Sequence, residues 1–183
     1  KLAFLDEHYL SHFDYLDVDS VIQEQKAFGA CQDVTLEYPV AENEGEEDNT
    51  YLSYNMVVGN AADSQMAMAF EVLDYALLSA PGAPLKQALL DVKAGKDVYG
   101  SYDDGILQPY FTVIAKGSNP DRKEEFVSVI RQVLGDIVKN GIDRKAVEAG
   151  INYFEFRYRE ADFSSYPKGL MYSLVILGVW LYE

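Results

Sequence analysis

The sequence predicts an α+β fold, a two-layer sandwich in which helices pack on one face of a mainly antiparallel sheet. Residues 51–58 alternate between apolar and polar side chains, as a strand with one buried face does. Residues 97–102 and 107–116 have the pattern of two paired strands around an Asp-Asp-Gly turn. Beyond residue 120, apolar side chains recur every three or four positions, which is typical of amphipathic helices.

The amino-terminal segment is predicted to be mostly helical. Apolar residues at spacings of three and four mark one helix face over residues 2–16. A second short helix is expected from a cap at Asp19-Ser20 to Phe28. Residues 34–40 have the composition of a strand, and Pro39 indicates an edge position or a strand end.

Chain length and the two chain ends indicate a piece of a longer polypeptide. A length of 183 residues suits one domain with an additional arm. The chain begins with Lys1 rather than Met, and its last apolar segment runs to Glu183 without a polar tail. We therefore expect a helical connector arm over residues 1–33 and one α+β domain over residues 34–183, cut at its carboxyl end.

Two helices are expected between the first strand and the strand pair. Asp63 or Ser64 can cap the first of them, which carries so many apolar residues that it must pack on more than one side. The sequence Pro81-Gly82-Ala83-Pro84 ends this helix, and Pro84 starts a shorter one that reaches Val92.

Three helices are expected after the strand pair. The first ends at Asn140-Gly141 in a left-handed cap, and Asp143 then caps the second. A break at residues 167–169 precedes the last helix, whose apolar run from Leu170 to Leu181 is too short to span a membrane. We expect this last helix to be buried.

Composition excludes several classes of partner. The chain has 30 Asp and Glu against 15 Lys and Arg, a net charge of −15, and lacks the basic stripe that phosphate backbones require. This charge also disfavours an anionic membrane surface, whereas it suits either an ordinary acidic surface or attraction of basic peptides. Cys31 is the only cysteine, so an internal disulfide is excluded. The acidic run at residues 42–48 lacks the spacing of a calcium-binding loop.

The helix that contains Glu71-Val72-Leu73-Asp74-Tyr75 is the most informative segment for function. Its placement, after a strand and before a Pro-Gly turn, resembles that of a zinc-protease metal helix that has lost its histidines. Neutral imidazoles are the usual zinc ligands, so a helix that offers Glu71, Asp74 and Tyr75 is not expected to hold a catalytic zinc. We therefore expect no catalytic residue and no metal ligand in this chain.

The remaining candidate for metal binding is the pair His8 and His12, which are four residues apart on one predicted helix face. The sequence has no glutamate between them in the metalloprotease position, and a third ligand would have to be a remote carboxylate. Two surface histidines beside an apolar stripe are the ordinary interpretation of this pattern.

Several segments together resemble the insulinase-type (pitrilysin-like) zinc peptidases, in particular the presequence-protease branch. The resemblance covers most of the chain from Leu36 to Glu183 and is specific in order and spacing. Its segments are Tyr51-Leu52-Ser53-Tyr54-Asn55, the helix-turn-helix from Phe70 to Lys86, Leu107-Gln108-Pro109-Tyr110-Phe111-Thr112, Phe154 to Glu160, and Pro167-Lys168-Gly169.

The resemblance implies that this chain is a non-catalytic unit. Such enzymes are built from four similar α+β units that close around a chamber, and only the first carries His-x-x-Glu-His. On this chain the motif falls on Glu71, Asp74 and Tyr75, so the zinc chemistry is not carried over. The resemblance therefore implies the second unit, without a cofactor of its own, in a parent enzyme that holds zinc elsewhere.

The resemblance also implies a place where substrate is held. In related insulin-degrading enzymes the second unit grips peptides by main-chain pairing with one strand beside a Gly-rich turn. The matching positions are Val98, Tyr99, Gly100 and Ser101 with Gly82 in the turn, and Ser101 departs from the family by replacing a glycine. Nearby strand tyrosines either line a peptide groove or are ordinary half-buried aromatics.

We thus expect a supporting domain of a bacterial-type or organellar zinc peptidase that degrades short unfolded peptides. Its expected partners are the other domains of the same polypeptide and peptide substrates, including basic ones, in the cytoplasm or an organellar matrix. The alternatives are an inactive, free-standing binding or assembly subunit of the same fold, and a small metalloenzyme that uses His8 and His12. As part of a larger protein, the domain should expose an apolar surface.

Overall fold

The computed structural model describes residues 1–41, 45–160 and 163–181. Its helices and strands, in chain order, are α1 (Leu2–His8), a 3₁₀ turn (Leu10–His12), β1 (Thr50–Val57), α2 (Ser64–Asp74), a π-helical segment (Tyr75–Ser79), α3 (Pro84–Asp91), β2 (Asp97–Asp103), β3 (Tyr110–Ser118), a second 3₁₀ turn (Pro120–Arg122), α4 (Lys123–Asn140), α5 (Arg144–Glu160) and α6 (Lys168–Trp180).

The strands form one antiparallel sheet in the order β1-β3-β2. Phe111 in the central strand β3 is opposite Met56 of β1 and Tyr102 of β2. Among the described residues, β1 and β2 are therefore both edge strands. The predicted alternation in β1 is confirmed, since Leu52 is buried between the exposed Tyr51 and Ser53.

The core lies between this sheet and helices α2 to α4, which confirms the predicted α+β class. Val98 and Val113 from the sheet and Leu85, Leu89 and Ile130 from the helices are fully buried in one apolar cluster. Burying side chains of this size stabilises the fold by roughly 1.5–3 kcal/mol each.

The predicted amino-terminal caps of α2 and α5 are confirmed. The carboxylate of Asp63 accepts a hydrogen bond from the Met66 amide at 3.0 Å, and that of Asp143 accepts one from the Lys145 amide at 2.9 Å. Gly141 ends α4 with the positive φ of 85° that suits glycine, but its ψ of 162° lies outside the left-handed helical region, so the predicted left-handed cap does not form. The Ala80 to Ala83 turn has Pro81 and then Gly82 at φ 72° in its centre, as a type II turn requires.

Helix α2 approaches β2 closely at Gly100. A Cβ at Gly100 would overlap the Leu78 side chain and lie 2.8 Å from the Thr112 carbonyl oxygen and 2.9 Å from Asp74 Oδ1. At this point α2 widens into the π-helical segment, where the Ala80 amide donates to the Tyr75 carbonyl at 2.7 Å. The absence of a side chain at residue 100 thus allows the helix layer to pack closely against the sheet.

The predicted secondary structure of the amino-terminal segment is wrong in three places. The first helix ends at His8 instead of residue 16, no second helix forms over 19–28, and residues 34–40 do not join the sheet. Short helices are marginal unless an apolar face is packed, and side chains such as Phe13 and Leu16 stay exposed here.

Side-chain contacts attach this segment to the domain instead. The Gln108 side chain accepts a hydrogen bond from the Gln25 amide at 2.6 Å and donates one to the Gln25 carbonyl at 3.1 Å. Further along, Lys123 pairs with Asp33, and the Tyr38 ring contacts Tyr51 edge-on at 5.8 Å between centroids.

The predicted burial of the last helix is wrong as well. In α6, Leu174, Ile176 and Trp180 are 53%, 60% and 67% exposed. No other helix or strand of the described residues packs extensively on α6, so its apolar side chains meet solvent on several sides. None of the described helices combines the length and hydrophobicity that crossing a membrane requires. Part of the acidic run, residues 42–44, lies outside the described residues.

We predict that Gly100→Ala destabilises the domain by about 2–3 kcal/mol, because the added methyl group meets backbone atoms and Leu78. The control is Gly135→Ala, at a helical position with open space around the glycine, which should stabilise by about 0.5–1 kcal/mol. Denaturant unfolding of both variants measures the difference. Equal, small effects would show that the approach at Gly100 is not tight.

Candidate functional site

Glu71, Asp74 and Tyr75, the positions on which the resemblance places the metal motif, lie in the last turn of α2 and at the start of the π-helical segment. Here α2 is packed between β2 and α5. Gly150 of α5 permits this contact, because a Cβ there would lie 3.2 Å from both Val72 and Tyr75 side-chain atoms. The motif positions therefore sit at a three-element junction.

Two of the three motif side chains are engaged by tyrosines of α5. The Tyr158 hydroxyl donates a hydrogen bond to Glu71 Oε2 at 2.6 Å. The ring of Tyr75 stacks on Tyr153, with centroids 5.1 Å apart and an angle of 18° between the planes. Burial and the neighbouring Glu71 carboxylate raise the pKa of Tyr158, so this phenol stays protonated and keeps donating.

Asp74 differs from its two neighbours in lacking a partner for one oxygen. Its Oδ1 is buried and has no hydrogen bond among the described residues, at the place where α2 meets Gly100. Burial raises the pKa of Asp74, while the hydroxyl of Ser79 acts in the opposite direction. The charged form of this carboxylate thus destabilises the folded state.

These side chains do not fit a catalytic zinc. A zinc ion at Glu71 would compete with the Tyr158 hydroxyl, and at Tyr75 it would have to disrupt the ring stack. The position also offers no imidazole, the ligand on which this type of centre depends. Within the described ranges, no three His, Cys, Asp or Glu side chains are grouped as metal ligands.

The histidine pair lies far along the chain from this junction, in the exposed amino-terminal segment. His8 ends α1 and contacts the Phe4 ring at 4.2 Å between centroids, and His12 ends the following 3₁₀ turn. The continuous helix that was expected to align them does not form, so the argument from four-residue spacing no longer applies.

The proposed substrate-holding residues lie together on the edge strand β2, apart from Gly82. Val98 is fully buried, so its side chain cannot reach a ligand and only its main chain could. Tyr99 is 39% exposed and Ser101 is exposed, on the sheet face away from the core. Residue 100 must be glycine because a side chain there would clash with its neighbours. The space around Gly82 is open, and its positive φ of 72° is what favours glycine at that position.

The outer edge of β2 is unpaired among the described residues, but its start is partly protected. The Asp97 carboxylate accepts a hydrogen bond from the Val98 amide at 2.8 Å and also pairs with Lys86 at 3.4 Å. Inward or edge charges of this kind discourage unplanned strand pairing. Tyr102 stacks on Phe70 at 5.4 Å between centroids, and Tyr110 donates to Asp103 at 3.1 Å, so neither tyrosine is free for a ligand.

Sequence reasoning missed the tyrosines of α5 that occupy the junction. Tyr153 and Tyr158 are five residues apart, an interval that does not mark them as partners of one helix. A weak signal existed in Gly150 inside an otherwise regular helical pattern, since an interior glycine often marks a close helix contact.

We predict that Asp74→Asn stabilises the domain at pH 7 by roughly 0.5–1 kcal/mol, allowing for the solvent that still screens this carboxyl group. The pKa of Asp74 is raised in the folded state above its ordinary value of 3.8. The wild type therefore loses stability as the pH rises from 3.8 through the raised pKa. The gain should therefore fade toward pH 4.

Urea unfolding at pH 4 and pH 7 tests this, with Asp136→Asn at an exposed position of α4 as the control. A gain of the same size at both pH values, or a gain in the control, would contradict the assignment to burial.

Comparison with protein families places this geometry in context. The family model described as the peptidase M16 inactive domain matches residues 6–154. A solved inactive peptidase domain from Bordetella parapertussis superposes with a TM-score of 0.57 at 13% identity, over 72% of this chain and 76% of that one. This structural likeness supports the fold.

Curated relatives extend the comparison to longer proteins. Protein HypA of Clostridium perfringens is 43% identical over all of this chain, and presequence protease 1, chloroplastic/mitochondrial, of Arabidopsis thaliana is 29% identical over 93% of it. The chain spans only 19% and 17% of those two proteins. The family match over residues 6–154 confirms the resemblance found in the sequence: the chain belongs to the M16 (insulinase-type) peptidase family, as an inactive domain of it.

Proposed function

We propose that this chain is a non-catalytic unit of a longer zinc-dependent peptidase that degrades short unfolded peptides. In this proposal residues 1–33 connect it to the catalytic unit, and residues 34–183 support that unit and line the substrate chamber. The observation that carries the proposal is the junction at Glu71, Asp74 and Tyr75, where packing with α5 takes the place of metal ligation. Zinc and the water that it activates belong to another unit.

The proposal extends to how the chain contacts substrate. An edge strand with an open side can take up an extended peptide by main-chain hydrogen bonds, and side-chain contacts then add selectivity. On β2, Gly100 can contribute only through the backbone, and Val98 only through its carbonyl because its amide donates to Asp97, whereas Tyr99 and Ser101 expose side chains. Gly82, in the turn that enters α3, is included as the second half of this holding site.

Charge supports a preference for basic peptides. Carboxylates flank β2 at both ends, as Asp97 at its start and Asp103 and Asp104 at its end, within a chain of net charge −15. Such a field raises the local concentration of basic peptides and weakens with salt. A cytoplasmic or organellar-matrix location, where unfolded peptides arise, is part of the same proposal.

We predict that the purified chain binds no stoichiometric zinc and cleaves no peptide, because its motif side chains are held by α5. In the full-length protein, Glu71→Gln should leave both zinc content and kcat unchanged. Metal analysis and a fluorogenic peptide assay measure this. Chelator-sensitive cleavage by the chain alone would overturn the proposal.

We also predict that Tyr99→Ala in the full-length protein raises KM about fivefold with little change in kcat, as expected for loss of a binding contact of about 1 kcal/mol. The matched control is Tyr51→Ala, a similarly exposed tyrosine on the other edge strand, which should leave KM unchanged.

A peptide with N-methylated backbone amides separates main-chain pairing from side-chain contact. It should bind poorly to wild type and to both tyrosine variants. Equal binding of the methylated and unmethylated peptides would contradict strand addition at β2.

A further inference from the structure

A polar pocket of about 340 Å³ lies at the end of the sheet where β3 finishes and the segments leading into β1 and β2 arrive. Its lining comes from Asp48 before β1, Lys93 and Lys96 before β2, and Ser118, Asn119 and Arg122 after β3. No aromatic residue lines it, so it does not suit a ligand that is held by stacking. None of the residues proposed to hold substrate lines it.

Hydrogen bonds hold the frame of the pocket in place. The Asp48 amide donates to Asn119 Oδ1 at 2.9 Å, and the Asn119 amide group donates back to Asp48 Oδ1 at 2.8 Å. The buried Ser118 hydroxyl donates to the Ala94 carbonyl and ties β3 to the segment before β2. These bonds form without a ligand, so the pocket is largely preformed.

The charge of the pocket is opposite to that of the chain. Three cations line it against one carboxylate, within a protein of net charge −15. Lys96 Nζ lies 3.3 Å from Asp48 Oδ2, and Arg122 Nη1 lies 2.7 Å from Glu125 outside the pocket. The hydrogen bond from Asn119 lowers the pKa of Asp48, and Lys96 lowers it further. The Asp48 carboxylate therefore stays charged. The Lys93 ammonium has no partner among the described residues.

Lys93 is held in an unusual backbone conformation. It follows α3 with φ of 55°, the left-handed region in which helix ends normally place glycine. An L-residue there costs roughly 1 kcal/mol relative to glycine. A cation at a helix carboxyl terminus gains some stability from the helix dipole, which is the structural alternative to a ligand role.

We propose that this pocket binds a small, doubly charged oxyanion of the phosphate type, either free or as a phosphate monoester. The excess of two positive charges in the lining matches a dianion, and the guanidinium of Arg122 keeps nitrogens that are not used by Glu125 for an oxyanion. The volume exceeds a single phosphate and leaves room for the small alcohol part of an ester.

Nearby acids limit which anions can compete. Glu46 and Glu47 precede Asp48 and are exposed, and Asp48 already accepts from Lys96. A singly charged carboxylate gains too little electrostatic energy to compete with the Lys96–Asp48 and Arg122–Glu125 ion pairs. A dianion interacts more strongly because it can attract Lys93, Lys96 and Arg122 together. Binding is therefore selective for charge as well as for shape, and it weakens with salt.

The test is calorimetric titration of the full-length protein with inorganic phosphate, with glycerol 3-phosphate and with acetate. We expect saturable binding of the first two, with the ester at least as tight, and none of acetate. Lys96→Ala should weaken binding by about tenfold, the size expected for loss of a charge-assisted hydrogen bond. The matched control is Lys86→Ala, which removes a lysine paired to Asp97 at 3.4 Å outside the pocket and should leave binding unchanged.

Lys93→Gly separates a ligand role from a structural one. Glycine relieves the backbone conformation, so the unfolding temperature should be unchanged or higher while phosphate affinity falls about fivefold or more. The proposal is wrong if neither phosphate nor its ester binds saturably. It is also wrong if Lys96→Ala and Lys93→Gly both bind phosphate as tightly as the wild type does. Binding of phosphate alone would assign the site to the free anion, and tighter binding of the ester would assign it to a monoester.

Discussion

The packing of α2 between β2 and α5 is the constraint on which the rest of this domain depends. Glycines allow the helix to approach on both sides, Gly100 toward the sheet and Gly150 toward α5. Close packing leaves little freedom for side chains, so each residue along this part of α2 must suit a contact. The π-helical segment that follows adjusts the helix to the sheet at the same point.

This constraint explains which side chains α2 carries at Glu71, Asp74 and Tyr75. Glu71 and Tyr75 point toward α5, where a phenol can stack or donate a hydrogen bond, and Tyr153 and Tyr158 do so. An open cleft for water and substrate is incompatible with these contacts. Asp74 remains as a partly unsatisfied carboxylate, which shows that the junction is not optimised for stability at every position.

Sequence patterns predicted the parts of the fold that local chemistry determines. The alternation in β1, the Asp63 cap and the turn at Gly82 depend on neighbouring residues, and all three are correct. The amino-terminal helices and the burial of α6 depend on whether a distant surface covers an apolar face, which periodicity does not encode. The α5 tyrosines were missed for the same reason, since their partners are some 80 residues away in the chain.

The open edge of β2 raises a further physical question, because unpaired edges favour aggregation. Two copies that paired antiparallel about Gly100 would bring Asp97 of one against Asp103 of the other, twice over. Like charges opposite each other destabilise strand pairing, so the carboxylates that we propose to attract a basic peptide also oppose self-association at this edge. The charge pattern of β2 thus disfavours pairing of this edge with another copy of the chain, and it does so without a proline in the strand.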